Sequence, residues 1–231
     1  MSKAGKWAIK VAVYIDWFNM FHHMKRMYWK KYYRLDYKKL AKQFIWHNEK
    51  LIKVEYFTAY FFPDKQWMER HKTYVEALNM RWVQTILGKY QEVTKSFTNQ
   101  KNNIIKFIYN NFIKLLPFSR QKKFIPYRIE FKNYEEKRTD VNVAIHILQD
   151  GLLDVYEKAI IISWDSDISP AIKSVKKIKW EKEFLLLLPP WAKWHTMEKS
   201  CDSVYQIEEQ HLKNSLLPLN IKNIHRPKKW K

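Results

Sequence analysis

The feature that most constrains the fold is an alternation of apolar strand segments with amphipathic helical segments. Strand-type segments occur at residues 7–15, 51–61, 158–163 and 183–188, with helical patterns between them. The last two of these segments are rich in isoleucine and leucine, as is typical of strands that are buried on both faces. Strands that alternate with helices favour a parallel sheet covered by helices on both sides. We therefore expect an α/β fold with a mostly parallel central sheet.

The helices can be placed from the residues at their starts and from their periodicity. Asp36 is expected to cap the helix that follows it, and a long amphipathic helix is expected from residue 64 to residue 80. A strong helical pattern runs from about Glu136 to residue 153. Ser169 and Pro170 are expected to form the cap and first turn of another helix.

The length of 231 residues suits one domain with an insertion. Residues 8–215 carry the strand and helix patterns. Within them, residues 93–125 are polar, basic and aromatic without a clear period, and we expect an insertion or long loop there. Residues 216–231 form a basic C-terminal tail.

The charge of the chain is strongly positive. Lys and Arg number 43 against 23 Asp and Glu, which gives a formal net charge of +20. Such an excess attracts polyanions and favours nucleic acid as a partner, although a merely solvated lysine-rich surface is the alternative. Aromatic residues make up 16% of the chain, enough to fill a core and leave some for base stacking.

We expect no export signal and no membrane anchor, because the longest apolar stretches are far below the roughly 20 residues that a membrane span needs. Its single cysteine, Cys201, cannot form an internal disulfide, or a cysteine-type zinc site by itself. A chain without disulfides fits a reducing compartment. We expect a cytoplasmic protein that uses no zinc and binds no membrane, and we leave open whether it forms a homo-oligomer.

Acidic residues follow two of the predicted strands. Asp16 ends the first strand, and Asp165 and Asp167 follow a central strand. Active sites of open parallel sheets lie beyond the carboxyl ends of the strands, so these side chains are expected at one edge. Asp140 starts a long helix, four residues after Glu136. Each aspartate alone also fits a helix cap or a turn, but together they favour a shared site.

Carboxylates gathered at one site repel one another unless a cation neutralises them. Their oxygen atoms suit Mg²⁺ or Mn²⁺, and such an ion can polarise a phosphodiester and activate water for in-line attack. Asn19 is a candidate to orient a water or bind a phosphate, and Lys137 to contact phosphate, although a turn cap and a solvated lysine are the ordinary alternatives. An acidic site in a basic protein therefore predicts metal-dependent cleavage of nucleic acid.

Six segments stand in a distinctive order: YIDWFN (14–19), YFTAYF (56–61), RHKTYVEAL (70–78), YEEKRTDVNVAIHIL (134–148), ISWDSDISPAIKSVKKI (162–178) and LLLLPP (185–190). Over about residues 10–215 their order and spacing resemble those of NYN-domain proteins, a branch of the PIN-like metal-dependent ribonucleases. The resemblance implies a three-layer PIN-like sandwich with a mostly parallel sheet. It also implies endonucleolytic cleavage of RNA, for which we expect a single-stranded substrate.

The resemblance assigns roles residue by residue. The acidic metal-site positions are Asp16, Asp140, Asp165 and Asp167, with Asn19 as a polar companion in catalysis. Glu136 and Lys137 match the family's EEK segment, and Glu136 is a further candidate metal ligand. The candidates for contact with substrate are Lys137, Arg138 and Ser166. Some relatives carry a Cys-x-x-Cys pair before the EEK segment, whereas residues 93–125 contain no cysteine, which excludes a zinc knuckle.

Tryptophan stands at five turn positions where glycine is expected. Relatives commonly have glycine at the first and third of these positions, and the backbone turns after a helix or a proline pair at the others. The chain has 11 Trp and only 3 Gly. The five positions are Trp17, Trp82, Trp164, Trp180 and Trp191.

Two explanations account for these tryptophans. Either UGA codons, which some bacterial lineages read as glycine, are here read as tryptophan, or the protein uses its indoles to stack on bases. An indole next to Asp16 and another next to Asp165 would be expected to obstruct the metal site.

Two other functions stay open. A catalytically inactive RNA-binding module would use the same fold and charge without cleavage. A metal-dependent phosphatase of the dehalogenase type also uses an Asp-x-Asp pair, but places it after the first strand. Here Asp16 is followed by Phe18 at the second position of such a pair, which disfavours the phosphatase.

Overall fold

The computed structural model describes residues 8–28, 31–98, 128–192, 196–218, 220–221 and 224–225. The chain divides into two compact units, Met1–Tyr90 with Glu136–Lys231, and Gln91–Glu135. The predicted domain limits of 8–215 and the tail at 216–231 stay a prediction.

The strands are β1 (Ile9–Asp16), β2 (Glu49–Thr58), β3 (Gln84–Leu87), β4 (Lys89–Thr98), β5 (Arg128–Lys137), β6 (Lys158–Ile162), β7 (Glu183–Leu188), β8 (Ser203–Gln206), β9 (Asn220–Ile221) and β10 (Ile224–His225). Six of them form one sheet in the larger unit, in the order β3-β2-β1-β6-β7-β8. All five neighbouring pairs are parallel, so the expected parallel sheet is confirmed.

The helices are α1 (Trp17–Tyr28), α2 (Tyr37–Lys42), α3 (Lys65–Asn79), α4 (Thr139–Leu152), α5 (Ser169–Ile178) and α6 (Glu209–Lys213), with short 3₁₀ turns at Ser166–Ile168 and Thr196–Ser200. Asp36 caps α2 by accepting the Lys39 N–H at 3.0 Å, as expected. Asp64 caps α3 in the same way by accepting the Trp67 N–H at 2.8 Å. Among the described helices, none is long and apolar enough to cross a membrane.

Alternate residues of the central strands enter two separate cores. Val11, Val13 and Ile15 of β1 face the core that is covered by α1, α2, α3 and α6. Ala12 and Tyr14 face the opposite core, which is covered by α4 and α5. This period of two is what a strand buried on both faces requires. The result is the three-layer α/β/α sandwich expected from the sequence.

Strands β4 and β5 pair with each other in a separate two-stranded sheet. Within the smaller unit, Lys132 forms an ion pair with Glu92 at 2.8 Å and Lys95 forms one with Glu135 at 2.7 Å. The predicted insertion at 93–125 begins on β4. Its residues from 99 onwards lie outside the described part of the chain.

Two helix starts differ from the sequence-based expectation. Helix α4 begins at Thr139 rather than near Glu136, because Arg138 has a left-handed φ of 77° that ends β5 in a turn. Helix α5 begins at Ser169 itself, with Ile168 in the cap position. The 3₁₀ turn that precedes α5 already gives Ile168 a helical backbone conformation. Asp165 caps this 3₁₀ turn, because its side chain accepts the Asp167 N–H. The expected cap role of Ser169 is therefore wrong.

The backbone bears out the glycine argument at two of the five tryptophans. Trp82 has φ 65° and Trp191 has φ 61°, both in the left-handed region that favours glycine. Trp17, Trp164 and Trp180 are not among the described residues with positive φ. The expectation of a left-handed backbone is therefore confirmed at Trp82 and Trp191 only.

Candidate metal centre

The candidate site lies at the topological switch point of the sheet, between β1 and β6. After β1 the chain adds β2 and β3 on one side of β1, and it then adds β6, β7 and β8 on the other side. Crevices of this kind, at the carboxyl ends of parallel strands, are the usual binding sites of open α/β sheets. Ile15 of β1 is in register with Ile162 of β6, so the residues that follow these two positions are neighbours.

Asp16 is buried at the end of β1 and held by three hydrogen bonds. Ser163 Oγ donates to Asp16 Oδ2 at 3.0 Å. The Asn19 N–H donates to Oδ1 at 3.2 Å, and the Asn19 side-chain amide donates to Oδ2. These contacts fix the carboxylate across the β1–β6 pair and place Asn19 beside Asp16, whereas the catalytic role of Asn19 stays a prediction.

Asp165 is positioned by the turn that follows β6. Its backbone N–H donates to Ser163 Oγ at 3.1 Å, so one serine links Asp165 to Asp16. Asp165 Oδ1 in turn accepts the Asp167 N–H at 2.9 Å. This local pattern holds Asp165 half-buried and leaves the side chain of Asp167 exposed.

Asp140 reaches the site from the first turn of α4. The turn at Arg138 lies against Gly88, where a Cβ atom would collide with Thr139 Oγ1 and lie 3.0 Å from the Lys137 carbonyl oxygen. Glycine at position 88 therefore allows the start of α4 to approach the end of β3 closely.

Asp16, Asp140 and Asp165 form one group. Each offers a carboxylate oxygen, and these three atoms lie within 4.8 Å of one another. Burial raises the pKa of Asp16 above its ordinary value, and Asp165 acts in the same direction. Partial burial and the charges of Asp16, Asp165 and Asp167 raise the pKa of Asp140 to about 6. The carboxylates therefore repel one another when all are ionised.

This arrangement fits a hard divalent cation. Mg²⁺ binds oxygen ligands at about 2.1 Å, so two ligands of one ion lie up to about 4.2 Å apart, and the observed group needs only small side-chain shifts to reach that span. A divalent charge would also relieve the repulsion that raises these pKa values. The donor set, oxygen without nitrogen or sulfur, favours Mg²⁺ or Mn²⁺ over softer metals.

Glu136 and Asp167 lie outside this three-residue group but influence it. Burial, followed by the charges of Asp16 and Asp140, raises the pKa of Glu136 to about 7, while its hydrogen bond from Thr139 Oγ1 opposes the rise. Asp167 is exposed and contributes to the raised pKa of Asp140. Like the three grouped aspartates, both residues stay predicted metal ligands.

The three candidate substrate contacts are close in sequence to the grouped aspartates, since Lys137 and Arg138 precede Asp140 and Ser166 follows Asp165. Lys137 ends β5 and Arg138 forms the turn into α4, and both are exposed. Ser166 is exposed at the start of the 3₁₀ turn that follows Asp165.

The two tryptophans beside the aspartates take different positions. The Trp17 indole is 5% exposed and lies in the core, where it stacks on Phe21 at 4.6 Å and His71 at 4.5 Å between ring centroids. The expectation that it obstructs the carboxylates is therefore wrong. Trp164 is half-buried, packs against the core under α4 and α5, and contacts the His23 ring at 4.6 Å.

Sequence reasoning missed the residues that support the aspartates. Ser163 hydrogen-bonds two segments of the site, and Thr139 hydrogen-bonds Glu136. The sequence signal for Ser163 was its position directly after the buried strand β6. A residue there lies beside the last residue of the neighbouring parallel strand β1, which is Asp16.

A largely buried ionic network between β2 and α4 was also missed. Lys53 forms ion pairs with Glu55 at 2.9 Å and with Asp150 at 2.6 Å. Tyr14 Oη donates to Asp150 at 2.6 Å, and His146 Nδ1 lies 2.9 Å from Glu55 Oε2. Part of the signal was present in the sequence, because Lys53 and Glu55 lie two residues apart and therefore on one face of β2.

Comparison with known proteins agrees with this geometry. The family model of the NYN domain matches residues 10–208, which include β6, α4, all of β1 except Ile9, and all three grouped aspartates. A crystal structure of a protein of unknown function from Vibrio parahaemolyticus is similar with a TM-score of 0.54 at 12% identity, over 94% of this chain and 100% of that one. At this identity the likeness supports the fold alone. No curated protein sequence matches. Because the family match spans most of the chain, this protein belongs to the NYN domain family, whose members are PIN-like and nuclease-like.

Proposed function

We propose that this protein is a divalent-metal-dependent endoribonuclease that hydrolyses phosphodiester bonds of single-stranded RNA. The observation that carries the proposal is the group of Asp16, Asp140 and Asp165, whose oxygens converge within 4.8 Å at the switch point of the sheet. The formal charge of +20 on the whole chain supports a polyanionic substrate. Membership of the NYN family supports RNA as that polyanion.

In the proposed mechanism, Asp16, Asp140 and Asp165 hold Mg²⁺ or Mn²⁺, with Asp167 and Glu136 as further candidate ligands. The bound ion would supply charge stabilisation at the phosphate and a water of lowered pKa. Asn19 and Ser163 orient the Asp16 carboxylate by donating hydrogen bonds to it. Lys137, Arg138 and Ser166 are proposed to hold the RNA backbone around the scissile phosphate.

Glu136 has a candidate role in proton transfer as an alternative to ligation. Its pKa of about 7 lets it accept or release a proton near neutral pH. The Thr139 hydroxyl orients this carboxyl group through its hydrogen bond.

The test is cleavage of an end-labelled single-stranded RNA with Mn²⁺, with and without EDTA. Asp140→Asn keeps the size of the side chain and removes its charge, and we expect it to reduce cleavage at least about 100-fold. Asp154→Asn is the matched control, because Asp154 pairs with Lys179 and Lys182 outside the site and its φ of 57° suits asparagine. Equal cleavage by the wild type and Asp140→Asn would contradict the proposal.

A catalytically inactive RNA-binding module is the second candidate. The observation that favours it is the half-buried Trp164 beside Asp165, a position at which glycine is common among relatives. Tight RNA binding by the wild type, with cleavage no faster than that of Asp140→Asn, would support this candidate. We also propose a cytoplasmic location and no need for zinc, on the basis of the single cysteine.

A further inference from the structure

One exposed face of α1 combines aromatic rings with positive charge. Phe18, His22, Lys25 and Arg26 follow one another at intervals of four, three and one residues, which places them on one side of a helix. All four are exposed, and Phe18 is 37% exposed although it is a large apolar residue. We call these four residues the stacking face.

The rings of the stacking face support each other. The Phe18 and His22 ring centroids lie 4.2 Å apart at 60°. Burial and the charge of Lys25 lower the pKa of His22, so it presents an uncharged ring at neutral pH. His23 does not belong to this face, because its ring contacts the Trp164 ring and forms a hydrogen bond with the Pro190 backbone.

The charge of this helix is wholly positive. Helix α1 contains no Asp or Glu, and Lys25 and Arg26 lie in its last turn. Neither cation forms an ion pair with any residue in the described part of the chain. Two cations that no described carboxylate neutralises are suited to bind an anion.

The first residue of the stacking face, Phe18, lies two residues after Asp16 in the chain. Asn19, the residue after Phe18, donates its backbone N–H and its side-chain amide to Asp16. With a rise of about 1.5 Å per residue, the eight steps from Phe18 to Arg26 cover about 12 Å along the helix. That length corresponds to about three nucleotides at about 3.4 Å per stacked step.

We propose that the stacking face binds the nucleotides of single-stranded RNA next to the scissile phosphate, with a base stacked on Phe18 and His22 and a phosphate held by Lys25 and Arg26. The proposal rests on the proposed function and names where its substrate lies. Every base has an aromatic face, so this contact selects for unpaired bases rather than for a sequence. Bases within a duplex are already stacked, and a duplex therefore gains little here.

The first experiment measures binding of a labelled 12-nucleotide RNA to the full chain in EDTA, by fluorescence anisotropy. We expect the double substitution Phe18→Ala and His22→Ala to weaken binding about tenfold or more, and Phe18→Tyr to retain most of the affinity. Met27→Ala is the control, because Met27 is 42% exposed on the opposite side of the same helix. Thermal melting of each variant verifies that it is folded.

The second experiment repeats the titration with an oligomer of abasic spacers, which has phosphates but no bases. The aromatic substitutions should then have no effect. Lys25→Ala with Arg26→Ala should instead reduce the slope of log affinity against log salt by about 1.4 on both oligomers, which corresponds to two phosphate contacts. Lys177→Ala, an exposed lysine on α5, is the matched control for charge.

Normal RNA binding by the aromatic double variant would overturn the inference, and so would an equal loss on the abasic oligomer, which would mark a structural role. If the wild type still cleaves RNA with Mn²⁺ in either case, the proposed function stands and only the stacking face is wrong. A wild type that neither binds nor cleaves RNA would overturn both.

Discussion

At the residue scale, glycine and tryptophan occupy contrasting environments. Gly151 is buried in α4, where a Cβ would come within 2.7 Å of Tyr156 Oη and 2.8 Å of Val175 Cγ1, so packing demands glycine there. Trp82 and Trp191 instead hold left-handed backbone with their indoles 83% and 70% exposed. A left-handed residue other than glycine costs roughly 1 kcal/mol. These two positions carry the strain of a side chain that gains little from burial.

Replacing Trp82 and Trp191 by glycine should stabilise the fold. We expect each substitution to raise the free energy of unfolding by about 0.5 to 1 kcal/mol, because relief of strain exceeds the entropy that glycine adds to the unfolded chain. Trp180→Gly is the control, since Trp180 is 84% exposed but is not among the described residues with positive φ. Equal stabilisation by the control in urea denaturation would refute the explanation. The codons add an independent test, because UGG at positions 82 and 191 would contradict UGA recoding there.

The raised pKa of Asp140 predicts the direction in which the stability of the metal-free protein changes with pH. A carboxyl group with a pKa of about 6 when folded, against an ordinary 3.8, binds its proton more tightly in the folded state. Its contribution to stability therefore falls as the pH rises from about 4 to about 6. In EDTA, Asp140→Asn should melt at a higher temperature than the wild type at pH 7, and the difference should shrink towards pH 4.

Asp154→Asn provides a control of opposite sign. Lys179 and Lys182 lower the pKa of Asp154 to about 2, so its contribution is present above its ordinary pKa and is lost only as the pH falls towards 2. This variant should melt below the wild type by a nearly constant amount between pH 5 and pH 8. A melting-temperature difference for Asp140→Asn that is likewise constant with pH would contradict repulsion of Asp140 by the neighbouring aspartates.

At the element scale, helix α4 carries one site residue and is held at two places. Its first turn lies against Gly88, and its last turns are tied to the sheet by the network of Lys53, Glu55 and Asp150. Glu55 is fully buried and Asp150 nearly so. Removing one partner from a buried ionic network leaves the others uncompensated, which is more destabilising than loss of a surface pair.

Lys53→Met should therefore destabilise the protein by about 3 kcal/mol and weaken binding of Mn²⁺, because Asp140 lies on the helix that the network positions. Lys10→Met is the matched control, since Lys10 pairs with Glu157 at 3.2 Å with both side chains near half exposed. Such a surface pair contributes less than about 1 kcal/mol. Chemical denaturation gives the stability and electron paramagnetic resonance of free Mn²⁺ gives the affinity. Equal effects of the two substitutions would contradict this account of α4.

The elements show what the sequence could and could not predict. Continuous apolar runs located β1, β6 and β7, and the Asp36 cap and the helical periodicity after residue 64 located two helices, because these signals are local. The start of α4 was not predictable from helical periodicity, since the left-handed Arg138 interrupts the pattern only through its backbone. The Lys53 network depends on β2 facing α4, a tertiary relation that alternation within one strand does not specify.

At the scale of the whole molecule, the group of three aspartates and the net charge of +20 differ in how far they could be predicted from the sequence. Aspartates at the ends of two strands could be foreseen, because parallel topology brings carboxyl ends to one edge. Their convergence with Asp140 within 4.8 Å depends on how α4 packs, which only the structure specifies. The net charge of +20 is read directly from composition and belongs to no single element.

This charge predicts a strong dependence of RNA affinity on salt. About five phosphate contacts would weaken binding of single-stranded RNA about 100-fold between 50 mM and 200 mM salt, at a slope of about −0.7 per contact. A peptide nucleic acid of the same sequence has a neutral backbone and should show almost no salt dependence. Anisotropy titrations at four salt concentrations check this. An RNA affinity that is constant over that range would contradict a binding surface dominated by charge.

Whether the metal at the three grouped aspartates drives cleavage is tested by measuring Mn²⁺ occupancy and RNA cleavage on the same samples. Free Mn²⁺ is followed by electron paramagnetic resonance while the initial cleavage rate is recorded at each metal concentration. If the grouped aspartates hold the catalytic metal, both curves share one midpoint, Asp140→Asn moves both to higher concentration, and Asp154→Asn moves neither. Cleavage that proceeds in EDTA, or that is unchanged in Asp140→Asn while Mn²⁺ binding is lost, would contradict this role of the aspartates.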